Sequence, residues 1–201
     1  MKTVLVLYPP EFRCKDKFDR KIKKIVSCLG DYSFLTPNDH QFFLNSIVQD
    51  DRNCTGISVS EDWSTDDITH AIVFYDGFCF QDELQLLKDA KIPFRNIFSP
   101  ITRVINIKKD EKYLALKDTE DYEYIGRGSY WGNPYSMYEE GEDRDSVMQK
   151  YRYDFENDKF LNKSKEEVFK LHGKWLGCYC KPEACHGDIL AEFLNSWDDG
   201  S

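Results

Sequence analysis

The segment LGCYCKPEACHGD, residues 176–188, gathers Cys178, Cys180, Cys185 and His186 into nine positions of a chain with only seven cysteines and four histidines. Three chemistries are open to that set. Tetrahedral zinc takes four nitrogen or sulfur ligands, and these four residues supply them, although C-x-C-x4-C-H departs from the paired C-x2–4-C knuckles of familiar structural sites. Alternatively, Cys185 at the start of a helix feels the positive end of the helix dipole. His186 or Lys181 beside it would lower its pKa further and make the thiolate a nucleophile. A related arrangement has His186 transferring a proton, with Asp188 orienting the ring. The plainest reading is packing, since cysteine is a small core hydrophobe, and for Cys178 and Cys180 packing ranks first.

A second stretch, YIGRGSYWGNPY at 124–135, has three glycines and a proline in twelve residues, so the backbone must turn sharply. Main-chain amides around Gly126, Gly128 and Ser129 are free to approach a phosphate, with Arg127 as a bidentate clamp. Tyr130 or Trp131 offers a face on which a base can stack, worth about 1–3 kcal/mol in single-strand binders. Asn133 can read a polar edge. The competing reading is a structural turn whose tryptophan and tyrosines fill the core.

These side chains must be positioned by a chain of 201 residues that is 41% hydrophobic and 15% aromatic, enough for one compact domain or two small ones. The net charge of -9 argues against unaided binding to duplex DNA, which needs a basic stripe to displace counterions. It suits a small-molecule pocket, a basic protein partner, an acidic surface that imitates nucleic acid, or solubility alone. The opening MKTVLVLYPPEF lacks a small-residue cleavage site and reads as a buried strand, not a signal peptide. No run approaches the roughly 20 apolar residues of a membrane span, so a soluble cytoplasmic protein is expected. In that reducing compartment the scattered Cys14, Cys28, Cys54 and Cys79 are core hydrophobes.

Along the chain, TVLVLY (3–8), THAIVFYDG (69–77), FRNIFS, TRVINIKK (102–109) and WLGCYCK read as strands. Helices are expected over 15–30, capped by Gly30, after the Pro37-Asn38-Asp39 turn, and over 81–93, 142–158, 164–174 and 187–197. Ser164 with Glu167 makes a capping box and Gly173 a C-cap for the fifth of these. Residues 51–69 are polar, with a turn at STDD, and the charged 110–123 is a surface loop or short helix. This rhythm predicts an α/β fold: a mostly parallel Rossmann-like sheet flanked by helices, with a C-terminal α/β portion packed on it. Two regions are expected, 1–100 and 101–201. Ligands in such sheets sit beyond the carboxyl ends of the strands, which singles out the loop YDGFCFQ (75–81).

The strand ending in Asp76-Gly77 resembles the Rossmann-like lysine-decarboxylase-type and DNA-processing nucleotide-binding superfamily. The Gly-Thr that its members often carry for phosphate is replaced here by Phe78-Cys79. From Arg103 to Phe193 the chain resembles an uncharacterised family of bacteriophages and bacteria that carries an IGR-x-S-x-WGNP turn and an LGC-x-C-K-P-x-x-CHGD-x-L segment. The matching positions are Asn106, Gly126, Arg127, Ser129, Trp131–Pro134, Tyr151, Arg152, Cys178, Cys180–Pro182 and Cys185–Asp188. Gly128 stands where that family usually has proline, alanine or another small residue.

The resemblance implies a site without naming a reaction. It points first to a pocket for a nucleotide- or nucleoside-like molecule, where Arg127 and the glycine amides hold phosphate beside Asn106, Ser129 and Lys181. Such a site would bind its ligand or perform glycosidic-bond or phosphate-ester chemistry. The alternatives are an acidic phage protein that binds or inhibits a host protein or defence factor, and a zinc-stabilised structural module.

Overall fold

The computed structural model describes residues 1–109, 113, 118–159 and 163–200. They form two compact units, one of Met1–Pro100 with Ser196–Ser201 and one of Ile101–Asn195. The fold is α/β, with parallel sheets and helices throughout, as the strand–helix rhythm requires. Part of the expected loop or short helix at 110–123 lies outside the described residues.

The first unit is a five-stranded sheet, all parallel, in the order β3-β2-β1-β4-β5. Its strands are β1 (Lys2–Leu7), β2 (Tyr32–Thr36), β3 (Cys54–Val59), β4 (His70–Tyr75) and β5 (Phe94–Phe98). Both faces of β1 are covered, so its apolar residues run continuously instead of alternating. Leu5 and Leu7 pack with Ala71, Val73, Leu84 and Leu87, the last two from α3 (Gln81–Asp89). An aromatic cluster fills another part of the core, where Phe18 of α1 (Lys15–Val26) stacks on Phe74 with ring centroids 5.0 Å apart. Phe43 of α2 (Phe43–Asp50) stacks on Tyr8.

Strands β2 and β3 were not legible in the sequence. Ser33 and Thr36 interrupt the apolar run of β2, and β3 is an edge strand, CTGISV, whose pattern is half polar. Helix α1 ends at Val26, four residues before the expected Gly30 cap. The polar stretch before β4 does hold a capped turn: Ser64 and Asp67 close a capping box around the short 3-10 helix Thr65–Asp67.

The second unit is a three-stranded parallel sheet of order β6-β8-β7, from β6 (Arg103–Asn106), β7 (Tyr122–Tyr124) and β8 (Trp175–Cys178). Helices α4 (Arg144–Glu156), α5 (Lys165–Val168) and α6 (His186–Ser196) complete it. The expected 164–174 helix is a single turn of α5 continued by 3-10 geometry over Phe169–Leu171. Only half of its capping box forms: the Ser164 side chain makes no cap bond, while Glu167 accepts from the Ser164 amide as well as from Tyr130 and Lys170. Close packing selects glycine at two points. A Cβ on Gly177 would lie 2.3 Å from the Tyr122 hydroxyl, and one on Gly187 would lie 2.4 Å from Ile125 Cδ1. Thr102 and Asn195 tie the start of the unit to its end through paired bonds of 2.8 and 3.0 Å. No described helix is long and apolar enough to cross a membrane.

Candidate functional site

Strand β8 ends at Cys178, so Cys180 lies beyond it and not on the strand as expected. The turn that follows, with a cis Lys181–Pro182 peptide, carries the chain to Cys185, which immediately precedes α6. The three sulfurs nonetheless converge: all lie within 4.8 Å of one another, and those of Cys178 and Cys180 are 3.3 Å apart. Such a group could hold a metal ion.

The shared thiol hydrogen bonds polarise the cluster. The bond from Cys185, followed by bonds from Cys180 and the local backbone, overcomes burial and brings the Cys178 thiol down to about 6. Cys185 moves the opposite way, raised first by its bond to Cys178 and then by burial. One of the sequence readings has a reactive thiolate at Cys185, lowered by the helix dipole and by His186 or Lys181. Burial and the bond to Cys178 thus oppose a thiolate at Cys185, and the shared hydrogen bonds favour one at Cys178.

His186 is buried in contact with the Tyr151 ring, and its Nε2 lies 2.9 Å from the Ile125 carbonyl oxygen. Only a protonated Nε2 can donate that bond, which leaves Nδ1 as an acceptor, 3.7 Å from Cys185 Sγ. Burial pushes the imidazole down to about 4, so it is neutral at physiological pH. Asp188 does not orient this ring. Its carboxylate accepts from the Cys185 amide at 2.9 Å, holding the start of α6, and pairs with Lys181 at 2.5 Å. The expected His186–Asp188 proton relay is therefore not assembled.

A cavity of about 100 Å3 opens beside the sulfurs. Arg127 and Asn133 from the glycine-rich turn, Arg144 from the first turn of α4, and Cys178, Cys180, Cys185 and His186 all line it. The two distant sequence signatures thus share one wall. Neither arginine is paired with a carboxylate among the described residues. Arg127 lies over the Tyr138 ring at 5.5 Å and donates weakly to Ser136 Oγ at 3.5 Å, while Arg144 donates to the Ala184 carbonyl at 3.0 Å and to the Cys180 sulfur.

Other expected ligand contacts fall elsewhere. Trp131 is 3% exposed, sits in the core cluster with Tyr151 and Phe155, and donates Nε1–H to Glu123 at 3.2 Å, so it offers no stacking face. Tyr130 is 52% exposed, but its hydroxyl is engaged by Glu167 and its ring meets Trp131 edge-on. Asn106 bonds the Lys181 carbonyl with its amide and accepts from the Lys108 amide, so it braces the turn. Gly126 is glycine because a Cβ there would strike the Tyr124 hydroxyl at 2.2 Å, whereas exposed Gly128, at φ +84°, needs the left-handed conformation itself. The Ser129 hydroxyl is buried and has no partner among the described residues. Arg144, Tyr135 and the methionines Met137 and Met148 were missed as wall residues. Only the helical period of α4 hinted that Met148 faces inward.

In the first unit, the loop after β4 does lie where the strand order reverses, between β1 and β4. There the Asp76 carboxylate accepts from the Phe78 and Cys79 amides at 2.9 and 2.8 Å. The amides a phosphate would use in that turn are already taken.

A doubly wound parallel sheet of order 3-2-1-4-5, followed by a small parallel unit with a cysteine-lined cavity, defines an α/β protein of the Rossmann-like kind. The chain belongs to the minimal SLOG domain family, whose model matches residues 1–105. Residues 105–196 match a second model, described as a domain of unknown function, DUF4326. The chain is similar to the uncharacterised 12.4 kDa protein in the nrdA-td intergenic region of Enterobacteria phage T4. The two are 36% identical over 96 residues, covering 47% of this chain and 79% of the relative. The chain is thus related to an uncharacterised phage protein. No solved structure matches it.

Proposed function

We propose that the second unit binds an anionic, nucleotide- or nucleoside-like molecule in the cavity between the glycine-rich turn and the cysteine turn. The observation that carries this reading is the pair Arg127 and Arg144 on one concave wall, without carboxylate partners among the described residues, in a chain of net charge -9. Guanidinium groups without a carboxylate partner in an acidic protein favour an oxyanion guest, which they can grip with two parallel bonds. A volume of about 100 Å3 accommodates a phosphate group and not a whole nucleotide. The base then lies outside it, near the exposed Tyr138 ring that Arg127 already stacks against. The Rossmann-like order of the first unit, a fold whose halves bind nucleotides, supports the same ligand class.

Thermal-shift titration with nucleoside mono- and diphosphates, and with the matching nucleosides, tests the proposal. The phosphorylated ligands should raise Tm and the nucleosides should do so less. Arg127→Ala should abolish the difference. Failure of every nucleotide to stabilise the protein removes the reading.

A second reading, a zinc-stabilised module, is favoured by the convergence of three sulfurs, since thiolate donors select zinc among abundant divalent ions. One zinc per chain in the purified protein, with loss of folded structure on chelation, would establish it.

A further inference from the structure

Three cysteines reach one point from three different local structures: the end of β8, the turn, and the residue before α6. Packing alone does not require this convergence, because three thiols satisfy a core equally well when dispersed, as Cys14 and Cys54 are in the first unit. What distinguishes the cluster is what stands around it. A closed structural site has four protein ligands, whereas a working site keeps one position open. Among the described residues no fourth histidine, cysteine or carboxylate donor joins the three sulfurs within the same span. His186 is the nearest candidate, but its Nδ1 approaches Cys185 alone, at 3.7 Å, and its ring is held by the Ile125 carbonyl. All three cysteines also line the cavity that Arg127, Asn133 and Arg144 share.

We infer that Cys178, Cys180 and Cys185 bind a divalent thiophilic cation, zinc by its chemistry, with the fourth coordination position open to the cavity for an exchangeable oxygen or nitrogen ligand. The inference deepens the anion-binding reading of that cavity and rests on it for the identity of the fourth ligand. Charge agrees with the geometry. Three thiolates and a divalent cation leave one negative charge, and an anionic fourth ligand adds another. Arg127 and Arg144 supply the two positive charges that offset them in a part-buried site. Arg144 already donates to the Cys180 sulfur, the second-sphere contact expected of a tuned thiolate ligand. The ion would act by fixing an oxyanion next to the two guanidinium groups, as a Lewis acid in the sense of metal-assisted recognition.

The test uses the full chain. Metal analysis of protein purified without chelators should find one zinc per chain, and Co(II) replacement should give sulfur-to-metal charge-transfer bands with the intense visible bands of four-coordination. Azide should perturb those visible bands, and Arg127→Ala should weaken the azide effect about tenfold without changing cobalt stoichiometry. Cys185→Ser should lose the ion, and the wild-type metal count and thiol titration decide the matter even if that variant fails to fold. Absence of stoichiometric metal, or a Cys178–Cys180 disulfide in the freshly purified chain, overturns the inference. Cobalt bands indifferent to azide but altered by His186→Ala also overturn it, by showing a closed Cys3His site. If azide perturbs the bands while no nucleotide shifts Tm, the metal site stands and the nucleotide reading falls. If nucleotides bind and no metal is found, the reverse holds.

Discussion

Trp131 shows how residue type alone misleads. A tryptophan beside Gly-Arg-Gly looks like a stacking platform, yet here it is wedged in the core, with its Nε1–H donating to Glu123. Trp131→Ala should therefore lower stability by about 3–5 kcal/mol, the cost of a large buried aromatic. Chemical denaturation would show it. Loss of affinity for an anionic ligand without loss of stability would contradict the placement. Asp198 makes a sharper residue-scale case. Arg20 grips its carboxylate with two bonds of 2.8 Å, and that hydrogen bonding holds it down to about 2. A depressed folded pKa means the pair contributes stability above the ordinary carboxylate range. That contribution is lost as pH falls from there through about 2. A carboxyl-carbon NMR titration should find a midpoint near 2, and Arg20→Met should return it towards the ordinary value.

Elements decide which of these side chains meet. The cysteine turn is held from both ends: Asn106 at the end of β6 bonds the Lys181 carbonyl, and Asp188 in α6 accepts from the Cys185 amide. The glycine-rich turn is folded on itself, with Ser129 N to Gly126 O at 3.1 Å and Gly132 N to Ser129 O at 3.2 Å. A Cβ on Gly132 would lie 2.8 Å from the Gly126 carbonyl oxygen, a backbone atom that cannot rotate away. Gly132→Ala should consequently cost about 1–3 kcal/mol, the range of an overpacked core, and shift the Arg127 side of the cavity. A lowered Tm together with weaker anion binding would confirm it. Asp188→Asn keeps an acceptor for the Cys185 amide but loses the Lys181 pair. It should change stability by less than about 1 kcal/mol, since that pair is partly exposed.

At the scale of the molecule, the C-terminal segment belongs to the first unit. Asp199 pairs at 2.7 Å with Lys17, a buried residue of α1 that lies one turn from Arg20, the partner of Asp198. Deleting residues 198–201 should leave Lys17 unsatisfied and cost about 1–3 kcal/mol. Thermal unfolding of the truncated chain checks this, and an unchanged Tm would show that the tail adds nothing.

The sequence by itself determined the α/β class, the strands expected at 3–8 and 69–77 and found at Lys2–Leu7 and His70–Tyr75, and the long helices, because continuous apolar runs and a 3.6-residue period are local properties of the chain. It also singled out Arg127, Asn133 and the cysteine–histidine group, whose residue types are unusual wherever they fold. It could not show β2 and β3, whose polar residues hide their pairing, nor that Trp131 and Asn106 are structural while Arg144 faces the cavity. Those outcomes depend on which groups from distant segments take up each hydrogen bond and each face. That sharing is decided only when the parallel strands β6, β8 and β7 align and bring the two turns to one wall.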